Sequence, residues 1–137
     1  MELVKIIDGQ PKPYTEAAFR ADNPQTVYGR VVPAKHLNAQ DVYRVRTLPK
    51  PEEIGKKAVA DALPTQVNGE WVLGWSLVSL GAEEARNLRD ELLVASDWTQ
   101  VSDAPVDQAA WADYRQALRD IPQQEDFPEN VAWPEKP

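Results

Sequence analysis

Twelve prolines are spread over the 137 residues, and they limit what each segment can form. Proline breaks helix interiors and cannot donate a hydrogen bond within a central strand, so only short elements fit between these positions. Leu3–Ile7 is a β-branched and apolar run that stops at the turn dipeptide Asp8-Gly9, and it is predicted to be a strand. Residues 26–32 and 42–48 are rich in β-branched and aromatic residues and roughly alternate in polarity, so they are also predicted to be strands.

The clearest β-hairpin is predicted from residues 57–67 and 70–80, which are joined by Asn68-Gly69. This dipeptide favours a type I′ turn, because both of its residues tolerate a positive φ. The second arm carries Trp71 and Trp75 on the same face. Such tryptophans are more typical of sheet packing than of ligand contacts.

Three segments carry helix signals. Residues 14–20 are predicted to form a short helical turn with Thr15 as its N-cap. Residues 82–95 have apolar side chains at three- and four-residue spacing, which predicts an amphipathic helix. Residues 104–121 are predicted to form a second such helix, with Asp103 as its N-cap and Pro122 at its end.

Together these elements predict an α+β fold in three parts. Residues 1–80 form a small β-rich domain that contains the Trp-rich hairpin, residues 81–122 form an antiparallel two-helix hairpin, and residues 123–137 form an extended proline-rich arm. The link between the helices is short enough for a helical hairpin. The predicted structural core of that hairpin consists of Leu88, Leu92, Trp98, Trp111, Tyr114 and Leu118.

The proline-rich arm has no helical or strand periodicity, yet Phe127 and Trp133 stand between its prolines. Proline restricts the unfolded chain, so docking such an arm loses less entropy than docking a flexible one. We therefore expect the arm to pack on a surface with Trp133 as its anchor. That surface is either the chain's own domain or a partner protein, and a disordered end is the alternative.

Few residues in the chain are suited to catalysis. There is no cysteine, which excludes disulfides, thiolate catalysis and zinc–thiolate sites. His36 is the single histidine and lies in a predicted loop, and no glycine-rich phosphate loop is present. Adjacent carboxylates such as Glu83-Glu84 are expected to be solvated. We therefore expect no enzyme activity, no catalytic residue, no cofactor and no metal site.

The net charge of −7 is unevenly distributed along the sequence. Residues 1–80 carry ten basic and nine acidic side chains, whereas residues 81–137 carry five basic and thirteen acidic ones. Phosphate backbones would repel so acidic a segment, so we expect no nucleic-acid partner. The acidic half suits a basic protein partner, and a merely solvated surface is the alternative. No apolar run is long enough to span a membrane, so no membrane partner is expected.

The C-terminal half contains a series of motifs in a defined order: RDELL, SDWTQ, DAP, WADYRQALRDIP and FPENVAWP. In order and spacing this series, over about residues 86–136, resembles the tail assembly chaperone family of tailed bacteriophages. Within the matched segment we single out side chains suited to contacting a partner, namely two arginines four residues apart and two aromatic–proline pairs. These are Arg115, Arg119, Phe127, Pro128, Trp133 and Pro134.

The resemblance implies a non-enzymatic protein that helps a phage tail or tail-fibre protein to assemble by binding it. Fibre proteins are long and prone to misassembly, and a small helper that covers exposed apolar surface would lower that risk. Such a helper would act in the host cytoplasm during assembly. Two outcomes stay open: it leaves afterwards, or it remains in the virion as a structural component of the tail, baseplate or fibre. No oligomeric state is assigned.

Overall fold

The computed structural model describes all 137 residues, which form a mixed α+β protein as predicted. The strands are β1 (Leu3–Ile7), β2 (Gln10–Tyr14), β3 (Val42–Thr47), β4 (Lys56–Ala60), β5 (Thr65–Val67), β6 (Glu70–Leu73) and β7 (Trp75–Ser79). The helices are α1 (Glu16–Asp22), α2 (Ala34–Asn38), α3 (Ala82–Ala95) and α4 (Gln108–Asp120), and 3₁₀ turns occupy Asp97–Gln100 and Ile121–Gln123.

The chain divides into two compact units. The first, here called the sheet unit, contains residues 1–51 and 58–76, and the second, the helical unit, contains residues 52–57 and 77–137. These bounds do not follow the three predicted parts. The segment 52–57 lies apart from the helices in sequence but belongs to their unit, and residues 123–137 belong to the same unit as the helices.

The sheet unit is built on five strands in the order β2-β1-β3-β6-β5. The predicted turn at Asp8-Gly9 joins β1 to β2 with positive φ at both residues. The prolines of β2, Pro11 and Pro13, lie in an edge strand, where a missing N–H costs no central hydrogen bond. Thr15 caps α1 as predicted, since its hydroxyl oxygen accepts from the Ala18 N–H at 3.1 Å.

Residues 26–32 do not form the predicted strand. Their backbone groups are instead satisfied by side chains, because the Arg20 guanidinium donates to the carbonyls of Tyr28 and Gly29 at 3.2 and 2.7 Å. Val32 is completely buried in the core of the sheet unit, and its carbonyl accepts from Arg44 at 2.8 Å. Hydrogen bonds that form only in the folded unit thus override the strand propensity of this segment. The short helix α2 follows, in a segment for which no element was predicted.

The structure places Asn68-Gly69 in a tight turn between β5 and β6, with φ values of 50° and 83°. The two arms are shorter than predicted, because each is interrupted about halfway along. One interruption ends at Pro64, which has no N–H to donate, and the other is at Gly74, whose carbonyl accepts from the Asp61 N–H at 3.1 Å. Beyond the interruptions, β4 and β7 form a separate two-stranded sheet.

In the helical unit, α3 spans the 14 residues expected for it. Helix α4 starts at Gln108 rather than near residue 104, and its N-cap is Asp107 rather than Asp103. The Asp107 carboxylate accepts from the Ala110 N–H at 3.1 Å, whereas the residues before it form the loop that carries Val106 onto the core of this unit. The helix passes directly into the 3₁₀ turn that contains Pro122.

Candidate protein-binding site

The core of the helical unit is formed by one face of α4. Trp111, Tyr114 and Leu118 of the predicted core are buried there, together with Ile121 at the start of the following 3₁₀ turn. The Trp111 and Tyr114 rings meet edge to face, with centroids 5.6 Å apart, a favoured arrangement for aromatic pairs. Six partly buried apolar side chains pack against this cluster: Leu92, Leu93, Val106, Phe127, Val131 and Trp133.

Two of the predicted core residues are placed differently. Leu88 is only partly buried, on the middle of α3. Trp98 lies in the 3₁₀ turn after α3 and remains 50% exposed, although its ring centroid is 6.1 Å from that of Trp111. It therefore lies at the margin of the core, where one side of the indole meets solvent.

Arg115, which was considered for partner binding, points into the unit instead. Its side chain is about one-tenth exposed, and it donates to the Leu93 carbonyl at 2.5 Å, the Ser96 hydroxyl at 2.7 Å and the Asp97 carboxylate at 2.6 Å. Helix α3 has no basic residue in its own last turn, so Arg115 supplies the positive charge that stabilises that end of the helix dipole. This arginine is a structural tie between α4 and the end of α3.

Arg119, the other arginine of the predicted pair, is exposed in the last turn of α4. The difference between the two arginines follows from helical spacing. Position 115 falls on the same side of the helix as Trp111 and Leu118. Position 119 directly follows Leu118, and successive residues are rotated by about 100° around a helix, so its side chain leaves that side. The sequence therefore contained the signal that separates them.

The proline-rich arm lies on its own helical unit and is not extended throughout, because residues 125–130 form turns. The Gln124 side-chain amide holds the arm back on itself by accepting from the Ala132 N–H at 2.8 Å and donating to the Ala132 carbonyl at 2.9 Å. Phe127 packs on the core with the Arg86 guanidinium 5.2 Å from its ring centre. Lys136 places its ammonium 5.6 Å from the ring centre of Trp111.

Trp133 packs against Gly55, a residue of the segment 52–57. Gly55 has a φ of +75°, and a Cβ at this position would overlap the indole ring. A small pocket of about 180 Å³ beside the ring is lined by Pro128 and Val131, among others. Sequence reasoning missed the role of Gly55, because no local pattern connects residue 55 with residue 133.

The segment 52–57 is also bound to the beginning of α3. The Lys57 ammonium lies 2.9 Å from the Glu84 carboxylate, which accepts a 2.8 Å hydrogen bond from the Gly81 N–H as well. The backbone hydrogen bond from Gly81, followed by the bond from Lys57, holds the pKa of Glu84 below its usual range. An acidic residue in the first turn of α3 is also favoured by the helix dipole.

Part of the helical unit's surface is apolar. Val94, at the end of α3, is 70% exposed, and Trp98 and Val101 are about half exposed. A shallow depression of about 560 Å³ lies beside Val94 on α3 and is also lined by Asn87, Asp90, Glu91 and Ala95. We call Val94, Trp98 and Val101 the apolar row.

Two arginines of β3 form ion pairs within the sheet unit. Arg44 pairs with Glu16 at 3.6 Å, and Arg46 pairs with Glu70 at 3.3 Å. Hydrogen bonding from Arg20, ahead of weaker effects from Val32 and Arg44, lowers the pKa of Glu16.

His36 is exposed, with its ring edge-on to Tyr28. No group of three or more acidic or histidine side chains is placed to hold a metal ion, and no helix is long and apolar enough to cross a membrane.

These features define an α+β protein whose C-terminal unit is a small helical module, closed by its own arm and carrying an acidic, partly apolar surface. Residues 82–137 of that module match the family described as phage tail assembly chaperone protein, which confirms the resemblance. The match covers α3, α4 and the arm, and it excludes the sheet unit and residues 52–57. No curated protein and no solved structure matches the chain.

Proposed function

We propose that this chain is a non-enzymatic assembly factor of a tailed bacteriophage that binds a tail or tail-fibre protein through its helical unit. The observation that carries the proposal is the family match over residues 82–137, which makes up most of that unit. The unit has its own core, so it can hold a binding surface in shape without the client. Its surface is strongly acidic, which suits a protein client and disfavours nucleic acid.

The client-binding surface is proposed to lie on the exposed parts of α3, α4 and the turn between them. Phe127 and Trp133 are occupied in packing on their own unit, together with the half-buried Pro128 and Pro134. Of the side chains first considered for partner binding, Arg119 is the one with an exposed position on a helix. The arm therefore packs on the core of the helical unit, and the helices are left to meet the client.

The test is a pull-down from host cells in which the phage is assembling, with the full chain as bait. We expect one tail or tail-fibre protein to be enriched over a bait of unrelated sequence and similar negative charge. Enrichment of host proteins alone, or of nothing, would contradict the proposal.

Mass spectrometry of purified virions separates the two roles that a tail-binding protein can have. A transient chaperone is absent from virions, or present far below the copy number of the tail proteins. A stoichiometric copy number would show instead that the chain stays as a permanent component of the tail, baseplate or fibre. In that case binding occurs, but the role is structural.

A further inference from the structure

The apolar row follows the end of α3 into the 3₁₀ turn Asp97–Gln100. Val94 lies in the last turn of α3, Trp98 lies in the 3₁₀ turn, and Val101 directly follows that turn, where the backbone becomes extended. All three keep half or more of their surface exposed, although the unit's own core is close by. Contiguous exposed apolar side chains with a polar rim often mark protein-interaction surfaces.

The rim of the row is acidic. Asp90 and Glu91 line the depression beside Val94, and Asp103 follows Val101 closely in sequence. Two carboxylates in this region already have partners, since Asp90 pairs with Arg89 at 2.7 Å and Asp97 pairs with the buried Arg115. Residues 81–137 as a whole carry thirteen acidic and five basic side chains, so the field around the row is negative.

Trp98 adds a second means of recognising positive charge. Its indole is half exposed to solvent, and its ring centre lies 6.1 Å from that of Trp111. An indole face attracts Lys and Arg side chains more strongly than any other aromatic side chain does. The row thus combines apolar contact area with two features that favour cations.

We propose that the apolar row is the docking site for a basic amphipathic segment of the client, in which apolar side chains are flanked by Lys or Arg. This inference rests on the proposed function and assigns its contact surface. A second copy of the chain fits less well, because two surfaces of the same negative sign repel each other. The apolar side chains of the client segment would lie on Val94 and Val101, and its basic side chains would meet Glu91 and the Trp98 face.

The first experiment needs no client. The probe is a short synthetic amphipathic peptide of leucine and lysine, and the control peptide has glutamate in place of lysine. We expect the full chain to bind the lysine peptide and not the glutamate peptide, with affinity that falls as salt increases. Equal binding of both peptides, or of neither, would overturn the proposal.

Paired variants show where the peptide binds. The double substitution Val94→Ser with Val101→Ser removes apolar contact, and we expect it to weaken binding about tenfold, a change of roughly 1.4 kcal/mol. The matched control is Val27→Ser with Val59→Ser, two exposed valines of the sheet unit. The control should bind as the unchanged chain does, and a similar loss in both pairs would refute the assignment.

The same pairs in the pull-down separate this inference from the proposed function. Loss of the tail protein with the Val94/Val101 variant, but not with the control, supports the row as the docking site. Equal capture by both variants leaves the proposed function standing and overturns the row. Sedimentation of the full chain tests the other possible occupant, a second copy of the chain. A dimer that disappears on substituting Val94 would show that this second copy occupies the apolar row, and it would overturn the proposal.

Discussion

Replacing Arg115 tests whether this buried side chain ties the two long helices together. Arg115→Ala removes three hydrogen bonds at once, to the carbonyl of Leu93, the hydroxyl of Ser96 and the carboxylate of Asp97. It also removes the only basic group that serves the C-terminal end of α3, which has none in its own last turn. The substitution should therefore destabilise the helical unit.

The size of the loss in the free energy of unfolding depends on whether the three acceptors of Arg115 find other hydrogen-bond partners. A hydrogen bond to a charged group contributes about 1.5–3 kcal/mol, so three of them set an upper limit well above 4 kcal/mol. Asp97 can return to water, since its side chain is 63% exposed. The Ser96 hydroxyl already donates toward the carbonyls of Leu92 and Leu93, which keeps the Leu93 carbonyl partly satisfied. We therefore expect a loss of about 3 kcal/mol in the free energy of unfolding.

The assay is urea denaturation of the full chain followed by far-ultraviolet circular dichroism, because urea, unlike guanidinium, does not screen ion pairs. Hydrogen exchange of the α4 amides assigns the change to the helical unit, since two units need not unfold together. Arg115→Lys keeps the charge but loses the planar fork, and should cost about half as much. Arg119→Ala is the matched control and should stay within about 0.5 kcal/mol. Equal effects at positions 115 and 119 would refute the buried tie.

Four further predictions test the packing and the electrostatics. Trp111→Ala should lower the free energy of unfolding by about 4 kcal/mol, because a buried aromatic is lost, whereas Trp98→Ala at the margin should cost less than half of that. Gly55→Ala should destabilise the helical unit, since its φ of +75° is unfavourable for alanine and its Cβ would overlap the Trp133 indole. Glu84→Gln should flatten the loss of stability in acid, because a lowered pKa gives stability that is present above the unfolded value and disappears as pH falls through the folded one. Tyr14→Phe should remove an alkaline loss, since burial, together with the hydrogen bond to Asp22, raises the pKa of Tyr14 to about 12, and stability falls as pH rises from the unfolded value of 10.0 toward it.

Each of these substitutions has a result that would contradict it. For Trp111, urea denaturation would contradict the prediction if Trp111→Ala and Trp98→Ala lowered the free energy of unfolding equally, because the buried ring should contribute more than the exposed one. For Gly55, the cost should shrink in a Trp133→Ala background, and an undiminished cost would exclude the clash with the ring. For Glu84, the pH dependence of melting should differ from that of the unchanged chain only in acid. For Tyr14, phenolate absorbance should lose its most alkaline transition on substitution, and an unaltered titration curve would refute the assignment.

Local patterns were enough to predict several elements of this fold. The apolar spacing of residues 82–95 and the β-branched run Leu3–Ile7 predict the observed bounds of α3 and β1, because each run ends at a local signal such as the Asp8-Gly9 turn after β1. Residues 26–32 look equally like a strand, yet they form none, and the carbonyls of Tyr28 and Gly29 accept hydrogen bonds from Arg20 of α1 instead. Strand propensity describes what a segment favours in isolation, whereas the structure of residues 26–32 also depends on hydrogen bonds from Arg20, which lies outside the segment.

The candidate site shows the same limit. The apolar stripe of α4 identified Trp111, Tyr114 and Leu118, but a charged residue on that stripe was taken as a surface residue because arginine is usually exposed. Arg115 can be buried because the end of α3 offers it three acceptors, and those are visible only once the helices are packed. The contact between Trp133 and Gly55 likewise depends on two segments far apart in sequence.

The discontinuity of the helical unit has a consequence for the order in which the chain folds. Every residue of the sheet unit precedes residue 77, so that unit can fold during synthesis while residues 52–57 wait for the helices. The Gly55–Trp133 contact closes a very long loop, and such non-local contacts form late in folding. A nascent chain therefore passes through a period in which Trp111 and its neighbours lack the arm that covers them. We expect a client present during that period to meet a larger apolar surface than the finished protein displays.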